Sequence, residues 1–196
     1  MVTEWALEAD ALLMAQVCRG DEPSFELLLT RHRGTVVNHL YRMVRDRAAA
    51  EDLAQDVFLR VYRSRHRYQP QAKFTTWLFR ITTNVALNWR RDTRRASACL
   101  PLDAEAERRR FEPPDESLAP DQRLMVQDRA REIRCALDAL PAKQLAAVLM
   151  HKYQGMNYGQ IAEVLGCSLP ALKSMLFRAY ATLRRRLAHF DPARAA

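Results

Sequence analysis

Residues 158–178, YGQIAEVLGCSLPALKSMLFR, contain the local pattern that decides the fold of this chain. Ala162 is small where two helices must approach each other, and Gly166 follows four residues later, where a tight turn needs positive φ. Ser168 can cap the next helix, with Pro170 in its first turn. This spacing predicts a helix-turn-helix. Its apolar side would be formed by Ile161, Leu165, Leu172 and Leu176.

The second helix of this motif is basic. Between Ser168 and Phe190 there are five lysines and arginines and no acidic residue. A helix that enters the DNA major groove needs short polar and basic side chains near its start and phosphate-binding charge further along. We expect Arg185 to contact phosphate. The candidate base-contacting side chains, which share one helical face, are Lys173, Ser174, Phe177 and Arg178. An ordinary helical hairpin with a solvated basic face is the alternative.

The rest of the chain also has helical patterning. Of its 196 residues 48% are hydrophobic, only five are glycine, and apolar residues recur at helical spacing almost throughout. The proline-bearing stretch 96–120 has little periodicity and predicts a flexible linker. The sequence therefore predicts an all-α protein with two small helical domains, 10–95 and 121–190, the second containing the helix-turn-helix. We expect Asp46 to cap one helix of the first domain, and Thr75 or Thr76 to cap another.

Charge alternates along the chain. Residues 1–59 hold six basic and ten acidic side chains, whereas residues 60–95 hold ten basic side chains and one acid. The whole chain has a net charge of +8. Such an excess indicates an anionic partner, and its distribution indicates different partners for different segments.

Aromatic and polar side chains are interleaved between Tyr68 and Arg95. This combination suits unpaired nucleic acid, because every base offers a π-face and every nucleotide a phosphate. We expect the loop 68–73 to be exposed and Trp77 to pack in the core, since Trp77 shares a helical face with Leu78 and Ile81. The candidate DNA-binding residues here are Tyr68, Phe74, Trp77, Arg80, Asn84, Asn88 and Arg91.

An acidic segment, 51–58, precedes this basic stretch. Asp52 and Asp56 lie four residues apart and project from one helical face. Such a pair could hold a metal, perform acid–base chemistry, meet a basic partner surface or be a solvated face. No histidine follows at ligand spacing, and the chain has no evident nucleophile–base pair or glycine-rich phosphate loop. We therefore predict neither a metal site, nor a cofactor, nor an enzyme.

The four cysteines lie far apart with no C-x-x-C pair, which favours small packed residues in a reducing cytoplasm over zinc or disulfide sites. No apolar run approaches the roughly 20 residues of a membrane-spanning helix. The acidic start of the chain is unlike a signal peptide. The sequence thus predicts a cytoplasmic protein without membrane insertion.

Taken together, these segments resemble a bacterial RNA polymerase sigma factor of the small extracytoplasmic-function (ECF) type of the sigma-70 family. The match covers roughly 10–95 and 121–187. It rests on Gly20-Asp21 through Phe25 and Leu28, on Asp52–Phe58, on Phe74–Ile81 followed by Asn84, on Ala139-Leu140-Pro141, and on Tyr158–Arg178.

The resemblance implies a division of labour along the chain. Core RNA polymerase would be bound by Asp52, Gln55, Asp56 and Phe58. The segment 68–91 would recognise and melt the minus-ten promoter element, holding a flipped base near 68–74. The helix-turn-helix would bind the minus-thirty-five element, and the linker would thread through the polymerase. An anti-sigma partner is expected, as is a role in a stress or envelope response.

Three positions depart from the family pattern. Many members carry a polar residue near Ala171 and an arginine near Met175, and Pro170 stands where a small flexible residue is common. The sequence therefore does not determine which minus-thirty-five element is recognised.

An autonomous helix-turn-helix regulator that binds duplex operators as a dimer is the alternative function, although it leaves the acidic and aromatic segments without a role.

Overall fold

The computed structural model of the chain describes residues 4–68, 73–97 and 120–190, and the side chains of 9–68, 73–96 and 128–190. The described backbone is helical, with no strand in those ranges. The helices are α1 (Glu4–Cys18), α2 (Glu22–Val44), α3 (Arg47–Arg63), α4 (Phe74–Ser97), α5 (Pro120–Asp138), α6 (Ala142–Tyr153), α7 (Tyr158–Leu165) and α8 (Leu169–Arg186). Short 3₁₀ turns follow α3, at Arg65–Arg67, and α8, at Ala188–Phe190.

Helix boundaries follow local capping chemistry. Asp46 accepts a hydrogen bond from the Ala49 amide at 2.9 Å and caps α3, as predicted. The predicted threonine cap of α4 is wrong: α4 begins at Phe74, so Thr75 and Thr76 lie inside its first turn. Thr76 is instead buried in the core. Of the predicted linker, 96–120, the first two residues belong to α4, which continues through Ser97, and the last begins α5. The remaining residues, 98–119, lie outside the described ranges.

The first four helices form one helical unit. Helices α2, α3 and α4 pack on one another, and α1 lies across α2 and α4. Its core includes Leu28, Val36, Leu40, Val57 and Leu78, each at most 1% exposed. These residues recur at the spacing that the sequence predicts for buried helical faces.

The second unit packs against the first, which the sequence did not predict. Helices α6 and α7 lie on α4, and buried side chains of both units form one continuous apolar cluster. Thr83 and Met150, both fully buried, meet with the hydroxyl 3.9 Å from the sulfur. The Arg42 guanidinium stacks 4.1 Å from the centre of the Tyr153 ring.

An ion pair crosses the same interface. Arg45 follows the end of α2 with a φ of 61°, and its backbone amide closes the helix on the Tyr41 carbonyl. This left-handed conformation is uncommon for a residue other than glycine. From it the guanidinium reaches Asp138, at the end of α5, with an Nε–Oδ1 distance of 3.0 Å. Among the described residues, the two units are therefore held together by apolar burial, the Arg42–Tyr153 cation–π contact and the Arg45–Asp138 ion pair, and we call this the closed arrangement.

His39 is the most unusual buried group of the first unit. It is fully buried on α2, its ring meets the Phe79 ring edge-on at 5.2 Å, and neither ring nitrogen has a hydrogen-bond partner among the described residues. Burial, reinforced by the nearby Arg42 charge, lowers the pKa of His39 to about 4. His39 is therefore neutral in the folded protein at physiological pH.

The free energy of unfolding is expected to fall by about 2 kcal/mol between pH 7 and pH 5 on account of His39. In the unfolded chain the His39 ring takes up a proton near pH 6.5, whereas in the folded chain it does so only near pH 4. Stability is therefore lost as the pH falls through this window. Urea titrations at both pH values would measure the effect, and His39→Leu should remove most of it. An unchanged pH dependence in that variant would contradict the prediction.

Candidate polymerase and nucleic-acid interfaces

Helix α4 presents a polar face to solvent. Arg80, Asn84, Asn88 and Arg91 are all exposed and are spaced four, four and three residues apart, so they form one stripe along the helix. The opposite side of α4 carries core residues such as Leu78 and Val85. The stripe stays open although α6 and α7 pack on the same helix. It forms a ridge of amide and guanidinium donors.

The aromatic residues beside this stripe are buried instead of exposed. Tyr68 is 7% exposed and Phe74 is 1% exposed. The predicted exposure of Tyr68 was therefore wrong. Its ring lies 5.4 Å from that of Trp77 and 6.1 Å from that of Phe74, and burial raises the pKa of its hydroxyl. We name these three residues the aromatic cluster; Trp77 is half-buried against the core, in line with the sequence prediction.

The helix-turn-helix forms as the sequence predicts. Gly166 ends α7 in the left-handed region, with a φ of 61°. The Ser168 hydroxyl accepts a hydrogen bond from the Ala171 amide at 3.4 Å, which caps α8. Asn157 and Gln160 form a reciprocal capping box at the start of α7, a feature that the sequence analysis missed although Asn157 stands three residues before Gln160.

Helix α8 separates a buried from an exposed face. Leu172 and Leu176 are buried, as predicted. Phe177 is 74% exposed, a large fraction for an aromatic ring that has no role in the core. The exposed face also carries Lys173, Ser174 and Arg178, and further along Arg184, Arg185 and Arg186. Four side chains of the predicted base-reading set thus share one open surface.

A side-chain contact fixes α8 against α6. His151 Nδ1 and the Tyr180 hydroxyl lie 2.9 Å apart, and the Tyr158 ring packs 5.2 Å from the His151 ring. Burial raises the pKa of the Tyr180 hydroxyl. These contacts join α6, α7 and α8. No sequence pattern predicts this contact, because His151 and Tyr180 are 29 residues apart.

The acidic segment lies on α3 beside an apolar groove. Asp52 and Gln55 are exposed, whereas Asp56 pairs with Arg60 at 2.8 Å. Phe58, predicted to touch polymerase, is only 5% exposed and contributes to the groove floor. The groove runs between α2 and α3 with a volume of 520 Å³. Its apolar lining includes Phe25, Leu29, Phe58, Leu59 and Tyr62.

Leu59 makes this groove a candidate protein-binding surface. It is 53% exposed although it borders an apolar groove. Glu22 and Glu26 of α2 border the groove together with Arg33, so its charged rim is net acidic. An apolar groove with an acidic rim is complementary to a partner helix that has apolar anchors and basic flanks.

Neither metal chemistry nor membrane spanning has a basis in the described part of the chain. Among those residues no group of three or more His, Cys, Asp or Glu side chains is placed to hold a metal ion. None of the described helices has the length and apolar character needed to cross a bilayer.

A segment of each helical unit matches the model of a known family. Residues 28–96 match the model of Sigma-70 region 2, and residues 130–183 match that of Sigma-70, region 4. RNA polymerase sigma factor CarQ of Myxococcus xanthus is 36% identical, with 88% of this chain and 94% of that protein covered. RNA polymerase sigma-H factor of Pseudomonas aeruginosa is 28% identical, with 92% and 94% covered.

ECF RNA polymerase sigma factor SigE of Mycolicibacterium smegmatis is 36% identical, covering 85% of this chain and 62% of that protein. In fold, the chain is similar to CnrH, solved in complex with the cytosolic domain of CnrY (TM-score 0.65, 24% identity, 92% and 98% covered). It is equally similar to the sigma factor RpoE of Bartonella quintana, solved with the anti-sigma factor NepR (TM-score 0.65, 21% identity, 84% and 96% covered). The chain belongs to the sigma-70 family of RNA polymerase sigma factors, in its ECF group.

Proposed function

We propose that this sigma factor binds core RNA polymerase through α3 and the adjoining groove, and reads a promoter through α4 and α8. It contributes promoter specificity and takes no catalytic part in RNA synthesis. Because bacterial RNA polymerase works in the cytoplasm, this protein acts there too. The observation that carries the proposal is the pair of exposed polar faces, one on each unit. Each face lies on a segment that matches one of the two sigma regions.

The stripe on α4 suits contact with the minus-ten element. Arginines can hold phosphates and stack on unpaired bases, and asparagines can bond base edges that strand separation exposes. The buried aromatic cluster lies under the start of α4 and shapes the surface on which the unpaired strand would lie. The proposed minus-ten domain spans 10–95 and the minus-thirty-five domain 121–190.

Helix α8 suits the major groove of the minus-thirty-five element. Lys173 and Arg178 can donate to guanine edges, and the exposed Phe177 ring can contact a thymine methyl group. The arginines at its end are placed for phosphate. Ala171 and Met175, on the same helix, offer no polar atom for base reading, so the readout rests on these few side chains.

The polymerase-binding surface can also receive an inhibitor. Two structural relatives were solved with partner chains, one of them the anti-sigma factor NepR. We propose that an anti-sigma factor holds this chain inactive until a stress or envelope signal releases it. A partner that covers the α2–α3 groove would block core binding directly.

The proposed function is tested by transcription of a genomic library with purified core polymerase, with and without this protein. Specific start sites that require both components are expected. Binding of the protein alone to palindromic duplex DNA as a dimer, with no effect on the polymerase, would favour the autonomous regulator instead. A folded preparation that fails to associate with core polymerase would contradict the proposal.

Mutations on α8 should distinguish side chains that read bases from side chains that bind phosphates. Arg178→Ala is expected to cost about 1–3 kcal/mol and to relax preference at one base position. Arg185→Ala is expected to weaken all promoters alike and to lower the salt slope by about 0.9 in log K per log salt, the share of one duplex phosphate. Holoenzyme binding to a randomised upstream element measures both. If Arg178→Ala leaves base preference unchanged, α8 does not read sequence through this side chain.

A further inference from the structure

Helix α1 lies outside the segments that match either sigma region, yet it carries a buried charge. Asp10 is 3% exposed. Its Oδ2 lies 2.8 Å from His32 Nε2, and its other oxygen accepts a hydrogen bond from the Arg31 guanidinium. One carboxylate therefore holds two successive residues of α2. The pKa of Asp10 is lowered, because these two partners outweigh the opposing effect of burial, so the carboxylate stays ionised.

The Asp10–His32 contact leads directly to the aromatic cluster. The His32 ring packs 5.3 Å from the Phe74 ring, and Phe74 contacts both Tyr68 and Trp77. Phe74 is the first residue of α4, and Tyr68 ends the turn that follows α3. The residues on either side of segment 69–72 are thus connected through His32 to a carboxylate on α1.

A second contact ties the far end of α1 to the same region. Cys18, the last residue of α1, donates its thiol proton to the Arg65 carbonyl oxygen at 3.0 Å. Arg65 begins the turn that ends at Tyr68. Helix α1 is therefore attached at two points, eight residues apart, to the backbone and side chains that place Tyr68 and Phe74.

From these contacts we propose that α1 is a positioning element for unpaired promoter DNA, with Asp10 as its principal positioning residue. This inference rests on the proposed function of α4. A buried carboxylate needs its polar partners, because losing one leaves its charge uncompensated, so the two contacts of Asp10 favour one placement of Arg31 and His32. The Asp10–His32 pair sets the position of Phe74, and with it the surface that Tyr68, Trp77 and the start of α4 present to a melted strand.

The test compares Asp10→Asn with Val57→Ala in holoenzymes assembled with saturating core polymerase. Val57 is fully buried on α3, a helix that carries none of the three aromatic-cluster residues, so its truncation destabilises the same unit by a different route. Open complexes are measured by permanganate reactivity of unpaired thymines on a promoter recovered from the library. The assay temperature lies well below both unfolding midpoints. Asp10→Asn is expected to reduce open complexes about tenfold, and Val57→Ala to leave them unchanged.

Further readouts separate positioning from simple structural support. A premelted bubble template should not rescue Asp10→Asn, because the defect lies in holding the unpaired strand. Cys18→Ser keeps an O–H donor for the Arg65 carbonyl and should retain more opening than Cys18→Ala. Equal losses in Asp10→Asn and Val57→Ala, full rescue by the bubble, or equal behaviour of the two Cys18 variants would overturn the proposal. If the wild-type holoenzyme opens no promoter, it is the proposed function that fails.

Discussion

Cross-linking the two units in their closed arrangement is expected to abolish promoter-directed transcription. The change is Arg45→Cys with Asp138→Cys, joined by a short, reducible bis-thiosulfonate linker, in a Cys135→Ser background because Cys135 is exposed. These positions already form an ion pair across the interface, so the linker holds a contact that exists. Activity should fall to the fraction of molecules left unlinked and return when the linker is reduced.

The physical reason is a mismatch of lengths. A compact chain of this size has a radius of gyration of about 16 Å, which corresponds to a diameter of about 40 Å. The two promoter elements are, by their designations, about 25 base pairs apart, or about 85 Å of B-DNA. The closed form cannot reach both. The sequence places 22 residues between α4 and α5, and a fully extended chain of that length spans about 75 Å, enough for an opened form to reach both elements.

Controls for this experiment are the two single-cysteine variants carried through the same chemistry. They report any effect of modifying the remaining native cysteines, which are Cys18, Cys99 and Cys167. The cross-linked double variant should still bind single-stranded DNA through the exposed stripe on α4. Full transcription from the linked protein would show that the closed arrangement is competent for initiation and would contradict the prediction.

Leu59→Asp is expected to weaken binding of core polymerase by at least about 30-fold, the equivalent of a hot spot of about 2 kcal/mol. The substitution places a carboxylate at the mouth of an apolar groove that is already acidic at its rim. Because Leu59 is 53% exposed, the fold should be little affected. The dissociation constant for fluorescently labelled core polymerase measures the loss.

Leu12→Asp provides the matched control. Leu12 is 67% exposed on α1 and does not line the groove, so the same chemical change there should leave core affinity as it was. Asp52→Lys, on the exposed face of α3, should lower the association rate and its salt dependence if the polymerase surface is basic. Asp56 is a poorer probe, because its reversal also breaks the pair with Arg60. Equal core affinity of Leu59→Asp and Leu12→Asp would exclude the groove as the binding surface.

Local chemistry determined much of this protein from the sequence alone. Caps such as Asp46 and Ser168 act on amides three residues ahead, and Gly166 relaxes a turn that other residues would strain, so neighbours in sequence suffice to place these helix ends. Helical spacing likewise sorts Leu172 and Leu176 to the core and Phe177 to solvent. The all-α fold and the helix-turn-helix followed from such short-range rules.

Only the tertiary structure decided which surface each remaining residue occupies. Tyr68 is buried because it packs against Phe74 and Trp77 of α4. Phe74 in turn packs on His32 of α2, which Asp10 of α1 contacts from 22 residues away in sequence. The burial of His39, the pairing of Arg45 with Asp138 and the shared core of the two units arise in the same way. These contacts depend on how helix faces meet in space, whereas sequence periodicity identifies an apolar face without identifying the partner that covers it.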